Sequence, residues 1–191
     1  MIQKSNPNRF VTARVLREVA RAMLPFYQAV ALNKDYATRW GRAVITLNVT
    51  EMLRLFRLVS PFAKKPLPGT FKSGYTVNFE FTGPVNLYGS STTLPPGTLK
   101  LIAQETRAHQ AVARAILPLY RALAFNAAFA EVLAKAIRRG DTQTVTFLVR
   151  SLIRDPRLRT VKIEESGVAL AFKFAFSPNT YEHFLFHEVF E

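Results

Sequence analysis

Along residues 9–32, apolar side chains return every three or four positions. At 100° per residue, Val15, Val19, Ala22, Met23, Phe26 and Val30 fall on one arc, with Arg14, Arg17, Glu18 and Arg21 opposite. This pattern predicts an amphipathic helix. Pro25 lies inside it, lacks an amide donor and disfavours helix at Leu24, so a kink or a break is expected there. A second helix is expected over about 34–46 and a third from Asn48 to about Ser60-Pro61. Asn33 and Asn48 stand where N-caps belong, and Asn48-Val49-Thr50-Glu51 reads as a capping box. The period then changes to two. Tyr75, Val77, Phe79 and Phe81 alternate with Thr76, Asn78 and Glu80, which predicts a half-buried strand. Shorter strands are expected at about 69–72 and 84–88, with Ser73-Gly74 as a hairpin turn.

The same succession returns 93 residues later. Val19-Ala20-Arg21-Ala22-Met23-Leu24-Pro25-Phe26-Tyr27 matches Val112-Ala113-Arg114-Ala115-Ile116-Leu117-Pro118-Leu119-Tyr120. Between positions 14 and 88 there are 21 identities in 75 positions, against about 5 expected from the composition. The second copy predicts helices at about 103–125, 127–139 and from Asp141 to about 154, with Asn126 and Asp141 as caps. Val168, Leu170, Phe172, Phe174 and Phe176 repeat the alternation, between strands at about 160–164 and 181–190, and Ser166-Gly167 reads as the second hairpin turn. The fold class read from this is α+β and internally duplicated. Each unit is three helices followed by a small antiparallel sheet, in a pseudo-twofold arrangement. Unit 1 spans 1–93, with helices about 9–60 and strands about 69–88. Unit 2 spans 94–191, with helices about 103–154 and strands about 160–190. Units this small bury little core alone, so they are expected to pack together and to join their strands edge to edge. Gly89–Gly97, rich in turn formers and uncharged, reads as the link.

Charge narrows the partners. The formal net charge is +13. Residues 1–93 carry 13 Lys+Arg and 4 Asp+Glu; residues 94–191 carry 13 and 9. Both halves are basic, so the field belongs to the body of the protein and favours a polyanion. There is no cysteine, which removes disulfides, thiol catalysis and thiolate metal sites. The N-terminus has no signal-peptide h-region and no apolar run reaches 18 residues, so a soluble, cytoplasmic protein without a transmembrane segment is expected, or one packaged in a particle.

Catalytic chemistry is sparse. His109 falls at the edge of an apolar arc and reads as a partly buried helix residue. His183 and His187 share a face of the expected terminal strand, but about 13 Å apart, too far for one metal. No acidic residue and no histidine matches between the copies, and no phosphate-cradling glycine loop or nucleophile elbow appears. The chain is read as a non-enzyme with no cofactor and no metal.

The copies do share arginines. Arg14/Arg107, Arg21/Arg114 and Arg57/Arg150 coincide at the repeat offset, and Arg121 extends the second stripe by another seven residues. Guanidinium groups give forked, always-charged donors suited to phosphate. The leading reading is therefore a non-catalytic protein that binds nucleic acid, DNA or RNA, mainly through phosphate contacts. The bound residues would be Arg14, Arg21, Arg57, Arg107, Arg114, Arg121 and Arg150. The alternative is a structural or assembly protein of a particle or coat. It would self-associate or bind an acidic protein, using its basic surface and the apolar C-terminal strand around Phe184-Leu185-Phe186. Peripheral membrane association ranks third, because the apolar arcs are needed for the core.

Overall fold

A computed structural model describes residues 11–71, 74–82, 87–93 and 102–188, with side chains of 105–186 in the last segment. Six helices and six strands follow in the order α1 (Ala13–Leu32), α2 (Lys34–Ile45), α3 (Val49–Val59), β1 (Leu67–Phe71), β2 (Gly74–Glu80), β3 (Leu87–Thr93), α4 (Ile102–Phe125), α5 (Ala127–Arg138), α6 (Thr142–Leu152), β4 (Leu158–Glu164), β5 (Gly167–Lys173) and β6 (Thr180–Glu188). The class is α+β, with one antiparallel sheet in the order β1-β2-β3-β6-β5-β4.

Short polar side chains start the helices where the sequence places them. Asn33 accepts from the amide of Tyr36 (2.9 Å), Asn126 from Phe129 (3.0 Å), Asn48 from Glu51 (2.9 Å) and Asp141 from Thr144 (3.0 Å). Each satisfies an amide that the first helical turn leaves without a carbonyl. The capping box at Asn48 is only half made. The Glu51 carboxylate turns outward to Arg54 (2.6 Å) and Arg39 (3.3 Å), which hold its pKa down to about 2. α1 begins at Ala13, later than expected, because Thr12 is extended and its hydroxyl takes the cap on Val15. Neither proline breaks its helix: α1 runs through Pro25 and α4 through Pro118. Each helix is held by burial along its length, and this outweighs the one lost backbone bond at the carbonyls of Arg21 and Arg114.

That burial is wider than the sequence arc. α1 also buries Leu16, Ala20, Tyr27 and Ala31, because it lies against α4, α5 and the sheet together. The α1/α4 contact is the most extensive between any two helices. Trp40, the single tryptophan, is fully buried with its ring 4.5 Å from Phe26 and 5.1 Å from Tyr75. Phe79, Phe172 and Phe174 are core residues as expected, while Phe81 is half-buried.

Three features of the sheet differ from the sequence reading. First, the expected link begins inside a strand: Gly89–Thr93 are the body of β3, and 94–97 lie outside the described residues. Their serines and threonines read as turn formers, yet Tyr88, Ser90 and Thr92 alternate inward onto the helices. Secondly, Gly167 is not the turn residue. The turn is Glu165-Ser166, both at positive φ, whereas Gly167 opens β5. A Cβ there would strike the carbonyls of Leu185 and Phe186, and one at Gly74 the carbonyl of Thr92. Ser73 lies outside the described residues. Thirdly, β6 is not a free terminal strand. It pairs with β3 on one edge and β5 on the other, so Phe184-Leu185-Phe186 has no open edge to offer a partner. The free edges are β1, which carries Pro68, and β4, which carries Arg159, Lys162 and Glu164; both compositions discourage strand addition.

Gly167→Ala should therefore destabilise by about 1–3 kcal/mol or more, since the obstacle is backbone and cannot rotate away. Gly140→Ala, at φ 65° with open space around it, should cost only about 1 kcal/mol. Urea unfolding of the two variants checks the order; equal losses would contradict the close approach of β5 to β6.

Candidate nucleic-acid interface

The arginines singled out by the repeat do different jobs. Arg21 donates from Nε to the carbonyl of Ala124 (3.0 Å), and Arg114 from Nε to the carbonyl of Ala31 (3.0 Å). Both acceptors sit in the last turn of the opposite long helix. There the final carbonyls lack intrahelical donors and the helix dipole leaves negative charge. Gln110 extends the capping by donating to the Val30 carbonyl (3.2 Å). These contacts set α1 and α4 antiparallel, each holding the other's C-terminal end. Arg150 is committed in a similar way, to the carbonyls of Arg159 (3.1 Å) and Leu158 (3.5 Å) on β4. Arg14 pairs with Glu18 (2.8 Å) on its own helix at 76% exposure, a pair worth little. Arg107 lies over the ring of Phe176, 4.0 Å from its centre. Arg57 and Arg121 are exposed and have no bonded partner among the described residues.

So the structure keeps Arg107, Arg114 and Arg121 on one face of α4, with no exposed acid on that helix among the described side chains. At 1.5 Å per residue, the stripe is about 21 Å long. It does not bring all seven arginines to one surface as equally free groups. Periodicity showed that Arg21 and Arg114 point away from their own helix's apolar arc; it carried no information about the neighbouring helix end they reach.

The densest polar chemistry lies inside, and most of it was not singled out from the sequence. The hydroxyls of Tyr27 and Tyr120 both bond Ser90 Oγ (2.8 and 2.6 Å), and their rings lie 4.9 Å apart. Tyr120 continues to His183 Nε2 (3.1 Å), and His183 Nδ1 reaches Thr92 Oγ1 (2.8 Å). Nearby, Tyr75 bonds His109 Nε2 (2.7 Å). Every one of these side chains is 0–1% exposed. Burial holds both histidines neutral and drives their pKa values down to about 3, and it pushes those of the tyrosines up. A neutral imidazole supplies one donor and one acceptor, so His183 can satisfy Tyr120 and Thr92 together. The arrangement ties α1, α4, β3 and β6 at one point. Ser90 and Thr92 escaped notice because they sit in the stretch that reads as a link. The available signal was their period-two continuation from Tyr88. The side chain of His187 lies outside the described residues, and among those described no group of three or more His, Asp and Glu is placed to hold a metal.

Among the described residues no single helix is long and apolar enough to cross a membrane; Glu105–Phe125 and Ala127–Arg138 meet that length and composition only together, as a pair bent by 105°. No protein-family model, no curated protein and no solved structure matches this chain.

Two expectations follow. Arg114→Ala, which uncaps the end of α1, should cost about 1 kcal/mol in urea unfolding; an unchanged midpoint would remove the capping role. The histidines predict a pH dependence. Their folded pKa values are lowered, so the unfolded chain takes up protons first as pH falls below about 6.5. Stability should be full above that pH and decline below it, by up to about 1.4 kcal/mol per pH unit for each histidine. Thermal unfolding between pH 7.5 and 5.5, run in a Glu105→Gln background, tests this above the range where Glu51 and Asp155 titrate and without the Glu105 carboxyl, whose pKa burial raises and whose contribution has the opposite sign. A flat profile would mean that the two imidazoles are not buried.

Proposed function

We propose that this chain is an internally duplicated, non-catalytic protein that binds the phosphate backbone of nucleic acid, chiefly through α4. The observation that carries the reading is the Arg107–Arg114–Arg121 face, exposed and without an ion-pair partner among the described residues, in a chain of net charge +13. The duplication is supported by spacing. α2 and α5, α3 and α6, and β2 and β5 begin and end 93 residues apart. The reciprocal bonds Arg21–Ala124 and Arg114–Ala31 exchange under the same offset. A pseudo-twofold axis normal to the sheet, between β3 and β6, accounts for both. In this reading Arg57 and Arg121 are the free phosphate ligands, Arg107 and Arg114 contribute the parts of their guanidinium groups not used internally, Arg21 and Arg150 are mainly structural, and Arg14 is exposed but shared with Glu18. The soluble, cytoplasmic location expected from the sequence is kept as part of this proposal.

The test is fluorescence anisotropy with labelled duplex and single-stranded oligonucleotides at about 50 and about 200 mM salt. Binding should collapse at the higher salt. Arg107→Glu with Arg121→Glu should weaken it about tenfold or more and reduce the salt slope by about 2, without loss of circular dichroism. No binding at low salt would overturn the proposal. A second reading, an assembly subunit, is favoured by Leu32 and Phe125, 80% and 71% exposed at the ends of α1 and α4. It predicts a concentration-dependent mass by light scattering that Phe125→Ser abolishes.

A further inference from the structure

Two adjoining hollows open beside α1, of about 510 and 320 Å³, sharing Arg21 and Ala22. Their walls are apolar: Ala22 and Pro25 from α1, Val59 at the end of α3, and Phe79 and Phe81 around the end of β2. Leu58 and Phe62, 62% and 95% exposed, carry the apolar surface to the rim. Four charged groups border the groove: Glu18, Arg21, Lys64 and Glu80. They do not cancel. Glu18 is already paired with Arg14 (2.8 Å) and Glu80 with Lys65 (3.7 Å), both cations outside the lining. Arg21 and Lys64 have no ion-pair partner among the described residues. Arg21 is further held by its Nε bond to Ala124, and its two η nitrogens have no hydrogen bond among the described residues.

The place 93 residues on is furnished differently. The counterpart of Lys64 is Arg157, whose guanidinium lies 5.2 Å from the ring centre of Phe174, the counterpart of Phe81, and is pinned by Asp155 (2.5 Å). The counterpart of Glu80 is Lys173, tied to the carbonyls of Pro178 and Asn179. A guanidinium thus stands over Phe174 in the second half, where the first half has the hollow beside Phe81.

We infer that this groove binds a fatty acid: an extended acyl chain along the two hollows, with its carboxylate between Arg21 and Lys64. Two adjoining hollows suit an extended chain better than a compact ring, with the charged groups gathered in the smaller hollow and the larger one lined mainly by apolar side chains. The two unpaired cations set the charge of the head. The site is separate from the α4 face proposed for nucleic acid, apart from Arg21.

Isothermal titration of the full chain with sodium dodecanoate, kept below its micelle concentration, tests this. One equivalent should bind, dodecanol should bind about tenfold more weakly or not at all, and Lys64→Glu should weaken dodecanoate about tenfold. Ala22→Leu should abolish binding, with circular dichroism confirming the fold; Lys64→Glu, at an exposed site, stands as the second variant if it does not fold. Arg107→Glu with Arg121→Glu should leave dodecanoate binding unchanged, which separates this result from the fate of the nucleic-acid proposal. Absence of binding, equal affinity for dodecanol, or indifference to both groove variants would overturn the inference. So would binding only to vesicles of phosphatidylcholine and phosphatidylserine, which would make the Phe62 corner a membrane contact.

Discussion

The crossing of α1 and α4 is the constraint on which the rest of the structure depends. Two long helices lie antiparallel, and each sends an arginine to the carbonyl end of the other. A helix end exposes its last carbonyls and the negative pole of its dipole, so a cation there satisfies both at once. Because the bonds are reciprocal, they fix the sliding register of the pair. Tyr27 and Tyr120 then meet at the crossing and reach down to the same serine of β3. Helix packing and sheet register are thereby coupled through a handful of atoms.

That coupling explains why polar groups are tolerated at the centre. A hydroxyl or imidazole buried without a partner costs more than a core can readily absorb, but here Ser90, Tyr120, His183 and Thr92 satisfy one another. Apolar packing alone would allow the helix layer to slide over the sheet; hydrogen bonds between named atoms do not. The bulge in β6 belongs to the same arrangement. Pairing shifts between Gly89 and Ser91, and Phe186 takes a φ of 64°, which lets Leu185 and Phe186 both turn into the core.

The cost of the arrangement falls on the charged surface. Arginines that would otherwise be free for an anion are drawn into the scaffold, and the two halves have used the remaining positions differently. One half carries the uninterrupted basic face of α4; the other keeps an open apolar groove with two unpaired cations at its edge. Positions at the helix crossing are committed to the contact between α1 and α4, while positions at the periphery carry no such constraint.

Much of the scaffold followed from local chemistry in the sequence. Asn33, Asn48, Asn126 and Asp141 cap helices because a short polar side chain can reach the third amide wherever the chain runs. The alternation around Phe79 and Phe172 marks strands because the pleat has a period of two in any sheet. The matching intervals of 93 residues place the elements in the same order twice. What the sequence did not contain was the partner of each group. Gly89–Thr93 became a strand because β2 bonds it on one edge and β6, nearly a hundred residues away, on the other. Gly74 and Gly167 serve the approach of adjacent backbone and not the turn beside them. Arg21 and Arg114 point away from their own apolar arc, and only the docking of a second helix turned that solvent-facing position into a capping site. Period and capping are properties of a segment; the environment of a side chain belongs to whatever packs against it, and that was decided by the tertiary structure.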